Sequence, residues 1–223
     1  MESPNYEMMS DVEARYRATS GMQSRSGYSI FYGPLRRSRL LMINANPGGT
    51  PDNFKIVDVM RGEHEYIEGR NSCATTRNGA ELLHHIVGSV SPNGIRDVQV
   101  LNRFFRRSPG RPNLREERAY MAEARPLLEE LIQYIQPEAI LFGGDAGVSL
   151  YADAHAGQAL PGLTVWGPNG ANDAVYFREY QLQLPYYRQI PAYGIYHPSK
   201  MNGVFRSKVF PLLRQRLGSL AGN

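Results

Sequence analysis

The chain has 223 residues, of which 42% are apolar and 21% charged, a composition that fits a globular protein and excludes an intrinsically disordered one. Its single cysteine, Cys73, excludes a disulfide framework, a four-cysteine zinc site and a four-cysteine iron–sulfur cluster within this chain, and fits a reducing cytoplasm. Only three of the 25 basic side chains are lysines, and the 22 arginines with a net charge of +4 indicate either a polyanionic partner or an arginine-rich codon usage.

Short apolar runs alternate with stretches of helical spacing along the chain. In chain order they predict a helix over Met8–Thr19, a strand over Leu40–Ile43, a helix over Ala80–Val87, a strand over Val98–Leu101, a helix over Leu114–Ile135, a strand over Ala139–Phe142, a helix over Asp145–Ala154, a hairpin or lid from Leu163–Trp166 and Val175–Phe177, a strand over Tyr193–Tyr196 and a helix over Val204–Leu217. Strands that alternate with helices pair in parallel through crossover helices. The predicted fold class is therefore a three-layer α/β/α sandwich around a central, mainly parallel four-stranded sheet.

The chain shows no repeat, low-complexity tract or interior linker, so residues 1–223 are interpreted as one domain that begins with a helix and linker over 1–30. Residues 50–78 have no clear periodicity. A loop of this length in a compact domain is usually functional, and we expect it to enlarge a ligand pocket. Because no stretch approaches the roughly 20 apolar residues of a membrane span and the N-terminus lacks a signal-peptide pattern, we expect a cytoplasmic protein without a membrane partner.

Three polar segments follow predicted strands: Asn44–Asp52, Asn102–Arg107 and His197–Asn202. The carboxyl ends of parallel strands lie at one edge of a sheet, where ligands collect in open α/β folds. The sequence therefore predicts a binding site made from these three segments.

Several familiar sites are missing from the sequence. It contains no GxGxxG, GxxxxGK[ST], GxSxG or HExxH motif, which removes the main support for a dinucleotide-binding, NTPase, serine-hydrolase or zincin function. The cluster of Glu63, His64, Glu65 and Glu68 is interpreted as a solvated polar loop, because no second histidine lies at ligand spacing. We expect neither a metal nor another cofactor.

Three motifs together resemble the uracil-DNA glycosylase superfamily: Asn44-Ala45-Asn46-Pro47-Gly48-Gly49, Leu101-Asn102-Arg103-Phe104-Phe105 and Tyr196-His197-Pro198-Ser199. The pattern is closest to the mismatch/thymine and single-strand-selective branches, and it extends over Leu40 to Leu217. The resemblance implies a monomeric, monofunctional DNA glycosylase without an iron–sulfur cluster. Such an enzyme flips a pyrimidine out of DNA and hydrolyses its N-glycosidic bond to leave an abasic site.

The resemblance also implies a role for three polar residues. Asn46 matches the residue that holds the attacking water, Asn102 the residue that reads the edge of the flipped base, and His197 the donor to the pyrimidine O2. A donor at O2 stabilises the negative charge that develops on the departing base. Each residue also has a structural interpretation: a turn residue for Asn46, a strand cap for Asn102 and a buried, backbone-bonded histidine for His197.

Further residues are expected to contact the DNA. Those assigned to its backbone are small, polar or basic: Pro47, Gly48, Gly49, Arg103, Arg106, Arg107, Ser199 and Lys200. Met201 stands at the position of a wedge that enters the base stack, with a surface methionine as the alternative. Phe104 and Phe105 are interpreted as core residues rather than base-stacking ones.

Departures from the family pattern leave the substrate open. Asn44 replaces a leading glycine and no aspartate follows it directly, so aspartate-type activation of water is not expected. Gly48 and Gly49 stand where the major uracil-specific branch closes its pocket, which leaves room for a larger base. The loop residues assigned to that base are Asp52, Asn53, Glu65 or Arg70 as polar contacts and Phe54 or Tyr66 as stacking partners.

Uracil and a bulky modified pyrimidine, such as the glucosylated hydroxymethylcytosine of phage DNA, are both retained as substrates, for base repair or anti-phage defence respectively. Two other functions stay open: a catalytically weak or inactive DNA- or nucleotide-binding module of the same fold, and a nucleosidase that acts on small molecules.

Overall fold

The computed structural model describes residues 3–48, 57–68, 73–88, 92–108, 112–144, 164–167, 175–183 and 189–220. The helices are α1 Tyr6–Ser20, α2 Glu65–Glu68, α3 Ala74–Val87, α4 Pro92–Arg96, α5 Leu114–Ile135 and α6 Gly203–Leu217. The strands are β1 Leu40–Asn44, β2 Gln99–Asn102, β3 Ala139–Gly143, β4 Thr164–Trp166, β5 Val175–Gln183 and β6 Gln189–Ile195. Short 3-10 turns lie at Arg25–Gly27, Val59–Arg61 and Pro198–Lys200. Within these ranges, none of the helices combines the length and the apolar character needed to cross a membrane.

The strands form one sheet in the order β2-β1-β3-β6-β5-β4. The first four strands are parallel, whereas β5 and β4 pair antiparallel at the other end. The prediction of an α/β/α sandwich is confirmed. The predicted number of four strands is wrong, because β5 continues past Phe177 as a nine-residue partner of β6 and β4 pairs with it.

Both faces of the central strands are buried, which explains their unbroken apolar runs. On one face Leu41 and Ile43 of β1 pack with α1 and α5, and on the other Leu40 and Met42 pack with α3 and α6. The period of two along a strand sends alternate side chains to opposite faces. One short run therefore supplies two cores, and helices cover each of them.

The region predicted as a loop over 50–78 contains helical structure in its described parts. Helix α3 begins at Ala74 rather than Ala80. Gly79 lets the helix pack against the ring of Tyr66, since a Cβ there would lie 2.6 Å from the tyrosine Cζ. His64 and Glu65 are buried, which corrects their interpretation as part of a solvated loop. The predicted helix over 145–154 lies outside the described residues.

The pairing of the strands places their carboxyl ends together. Asn44 of β1 is in register with Asn102 of β2 and with Gly143 of β3, and Gly143 is in register with Ile195 of β6. The turn after β1, the segment after β2 and the 197–202 loop after β6 therefore start from the same edge of the sheet, as predicted.

Candidate active site

The turn after β1 and the segment after β2 run side by side at this edge. Four hydrogen bonds join them: Arg103 N to Asn44 O (2.7 Å), Phe104 N to Ala45 O (3.4 Å), Ser108 N to Pro47 O (3.3 Å) and Arg107 Nη1 to Gly48 O (3.3 Å). These bonds fix the turn that carries Asn46.

Asn46 is half-buried, and its Nδ2 donates to the carbonyl oxygen of Pro47 at 3.2 Å. Among the described residues, none donates to its side-chain oxygen. That oxygen is able to accept a hydrogen bond from water, as the predicted role of Asn46 requires.

His197 follows β6 and is held by its own loop. The backbone N–H of Ser199 donates to its Nδ1 at 3.2 Å, and the Ser199 hydroxyl lies 2.8 Å from the same atom. Because a backbone amide only donates, Nδ1 is an acceptor and the neutral ring carries its hydrogen on Nε2. Burial and, secondarily, the charge of Lys200 lower the pKa of His197, which favours this neutral ring. His197 thus offers one N–H donor from Nε2.

Side chains from helices α3 and α6 hold the His197 loop in place. Asn78 of α3 is 7% exposed, and its Nδ2 donates to Pro198 O at 2.7 Å. Arg206 of α6 donates to Met201 O at 3.1 Å and is itself fixed by two 2.7 Å bonds to Glu81. The sequence reasoning missed these residues. The available signal was a polar side chain at position 78 on the apolar face of a helix, since a buried amide needs hydrogen-bond partners.

In the sheet, strand β3 lies between the strands that precede Asn46 and His197, and it ends in glycine. β3 lies between β1 and β6, and two strand spacings separate their ends by about 10 Å. Gly143 has no room for a side chain, because a Cβ would lie 2.4 Å from Asn44 Oδ1. Gly144 has φ 128°, a left-handed conformation that favours glycine. No side chain of these two residues therefore rises between Asn46 and His197.

Two residues predicted to contact the base are interior residues in this structure. Asn102 has no exposed surface; its Nδ2 donates to Ser29 O at 3.0 Å and its Oδ1 accepts from the Tyr32 hydroxyl at 3.2 Å. Tyr66 is also fully buried, and its hydroxyl accepts from Asn44 Nδ2 at 2.8 Å. These contacts correct the predicted roles: Asn102 fixes the segment 29–32, and Tyr66 packs under the edge.

Some residues assigned to DNA have protein partners instead. Arg103 is 1% exposed, and its Nη2 lies 3.2 Å from a carboxylate oxygen of the buried Glu117. Arg103 therefore belongs to an ion pair in the core and is not a phosphate contact. Arg106 makes two 2.8 Å bonds to Glu123. Met201 is 7% exposed and packs in the core on the α3 and α6 side, which corrects its assignment as an exposed wedge. Phe104 and Phe105 are fully buried, as predicted.

Most of the other predicted DNA contacts that the structure describes are accessible. Gly48 and Lys200 are exposed, Ser199 and Arg107 are half-buried, and Pro47 is buried within the turn. In addition to these predicted contacts, Arg115 and Arg118 are exposed in the first turns of α5, which starts from the carboxyl-edge side of β2. The predicted residues Gly49, Asp52, Asn53, Phe54 and Arg70 lie outside the described part of the chain.

No group of three or more His, Cys, Asp or Glu side chains suited to a metal occurs among the described residues. In comparisons with known proteins, no family model matches the chain and no curated protein is significantly similar to it. The resemblance to the uracil-DNA glycosylase superfamily therefore depends on the three motifs at the carboxyl edge.

Proposed function

We propose that this chain is a cytoplasmic DNA glycosylase that hydrolyses the N-glycosidic bond of a pyrimidine flipped out of DNA. The observation that carries the proposal is the bond from Ser199 N to His197 Nδ1, which leaves Nε2–H as the donor of a neutral imidazole. This donor belongs to the same sheet edge as the Asn46 turn. A donor for the leaving base and a group that orients water are the two requirements of the reaction.

In the proposed reaction, water oxygen bonds to C1′ of the sugar while the bond from C1′ to the base nitrogen breaks. The bonding electron pair leaves with the base, and Nε2–H of His197 stabilises the resulting negative charge at O2. The Asn46 side-chain oxygen orients the water. The water proton passes to solvent or to the departing base, since an amide does not accept it.

DNA is the proposed partner because accessible cations and backbone groups lie beside this edge. Lys200 follows the His197 loop, and Arg115 and Arg118 lie at the start of α5. Contacts with phosphate supply most of the affinity of such proteins and make it depend on salt. Uracil and a bulky modified pyrimidine are the proposed substrates, for repair or anti-phage defence.

The test is direct detection of abasic sites. The full chain is incubated with single-stranded and duplex DNA that contains uracil, a G:T mismatch or glucosylated hydroxymethylcytosine, and the products are cleaved with alkali. We expect cleavage at the modified position of at least one DNA and none in unmodified DNA. Absence of abasic sites in every DNA would refute the proposal.

A DNA-binding module without turnover is the second candidate, and the chemistry of Asn46 favours it. An amide orients water but cannot take its proton, unlike an aspartate at the same position. This candidate predicts salt-dependent DNA binding with no base release in single-turnover reactions. Base release above the rate in protein-free DNA would eliminate it.

A further inference from the structure

A small cavity with four charged side chains in its lining, Glu13, Arg25, Glu65 and Arg107, adjoins the segment that follows β2. Its volume is about 30 Å³, and its walls include Glu65, Arg107, Tyr28, Ser29, Phe31 and Val57. One water needs about 10 to 15 Å³. The cavity therefore has room for about two chemical groups of the size of a water molecule.

Glu65 is the unusual member of this lining. It is 6% exposed, and no described residue hydrogen-bonds its carboxyl group. Burial raises the pKa of this carboxyl to about 7, and the nearby Arg107 opposes the rise. A buried carboxyl group without a hydrogen-bond donor is costly, so the fold maintains it at the expense of stability.

The cavity is tied to the candidate active site by hydrogen bonds. Arg107 donates to Gly48 O, two residues after Asn46. Glu65 N donates to Tyr32 O at 2.6 Å, and Tyr32 in turn donates to Asn102 at the end of β2. Ser29 accepts from Asn102 Nδ2. Two residues of the cavity lining, Arg107 and Ser29, are thus bonded directly to Gly48 and Asn102 at the sheet edge.

We infer that this cavity binds an uncharged polar group of the flipped base, with Glu65 accepting a hydrogen bond from it. The inference rests on the proposed function. The lining contains Glu13 with its partner Arg25, and Glu65 beside Arg107. When the Glu65 carboxyl is ionised, above its pKa of about 7, the two acidic and two basic side chains balance and favour a neutral ligand. The ligand must therefore carry a hydrogen-bond donor next to a hydrogen-bond acceptor. The ring edge of a pyrimidine provides this pair, and so does a hydroxymethyl substituent.

The experiment measures binding rather than base release. Duplexes carry 2′-fluoroarabino versions of uridine or 5-hydroxymethyluridine, in which the fluorine blocks hydrolysis by destabilising positive charge on the sugar. A duplex with a tetrahydrofuran abasic analogue serves as the base-free reference. The affinity ratio of each base-containing duplex to this reference isolates the contribution of the base, because the phosphate contacts cancel.

For the intact chain at pH 8, above the pKa of about 7 of the Glu65 carboxyl, we expect a ratio of about 10 to 100, the scale of one hydrogen bond to a charged group. Glu65→Leu should reduce it to about 1. Glu68→Gln, at an exposed position of the same helix, should leave it unchanged. If Glu65→Leu lowers the affinity ratio equally for both bases, the group bound in the cavity is the ring edge. If it lowers the ratio only for 5-hydroxymethyluridine, the bound group is the hydroxymethyl substituent.

A ratio that Glu65→Leu leaves intact, in a variant with native circular dichroism, overturns the inference. So does a ratio of 1 in the intact chain. Either result leaves base release from cleavable DNA untouched, so the proposed function survives it. Conversely, absence of base release with a ratio that depends on Glu65 refutes the enzyme and retains the binding site.

Discussion

The backbone N–H of Ser199 and Nδ1 of His197 are 3.2 Å apart, and this one bond determines which ring nitrogen carries the hydrogen. Only Pro198 lies between the donor and the acceptor in the chain, so the loop sets the tautomer by itself. The 3-10 turn Pro198–Lys200 supplies the geometry, with proline at its first position.

Replacing His197 tests its role in base release. We expect His197→Ala to slow single-turnover release by about 10² to 10³, the scale for loss of one such donor. DNA affinity should change little, because phosphate contacts supply most of it. Quenched-flow kinetics and a binding titration measure the two effects separately. An unchanged rate would remove His197 from the mechanism.

Asn78 should act as a positioning residue. Asn78→Ala removes the donor to Pro198 O, and the freed loop no longer holds His197 in place. We expect release to slow by about 10- to 100-fold and DNA affinity to stay within twofold. Ser207→Ala, on the exposed face of α6, is the control. Equal losses of rate and affinity would indicate a purely structural role.

Arg103 should matter for stability rather than for DNA binding. Arg103→Ala leaves Glu117 as a buried charge without this partner, at a cost of about 3 to 5 kcal/mol in the free energy of unfolding. Arg118→Ala removes an exposed charge and should leave that free energy nearly unchanged. Urea denaturation compares the two variants. If Arg103→Ala weakened DNA binding without lowering stability, the surface assignment made from sequence would be restored.

Glu65 makes stability depend on pH with a defined sign. The pKa of its carboxyl rises from 4.5 to about 7 on folding, so the folded state favours the protonated form. This contribution is fully present below pH 4.5 and is lost as the pH rises through 7. Glu65→Gln should therefore raise the free energy of unfolding relative to the intact chain by up to about 3 kcal/mol at pH 8 and change it little at pH 4. Glu68→Gln controls for loss of charge, and equal effects at both pH values would contradict the prediction.

The elements that the sequence predicts well are those whose signal is local. Leu40–Ile43 is a continuous apolar run, and it forms the buried strand β1. The predicted strand in β5 ended at Phe177, although the buried Tyr180 and Leu182 alternate with more exposed polar residues, which is the period-two pattern of a half-buried strand. The early turns of α3 were missed, since Asn78 and Gly79 disfavour a helix unless Pro198 and Tyr66 are beside them.

In the candidate site, too, some features follow from local sequence and others depend on the tertiary fold. The shared sheet edge follows from the order of strands and helices. The burial of Arg103 does not, because its partner Glu117 is 14 positions away and helix α5 brings them together. Asn102 likewise finds Ser29 and Tyr32 only through the tertiary fold. Residue types at strand ends thus predict where a site lies better than what each side chain contacts.

The close approach of Asn44 and Gly143 makes the two positions share a fixed amount of space across the pair β1 and β3. The Asn44 amide cannot turn aside easily, because its Nδ2 is bound by the buried Tyr66 hydroxyl. A chain with this fold and a side chain at position 143 must therefore carry a smaller residue than asparagine at position 44. Substitutions at the two positions should consequently occur together during divergence, in opposite directions of size.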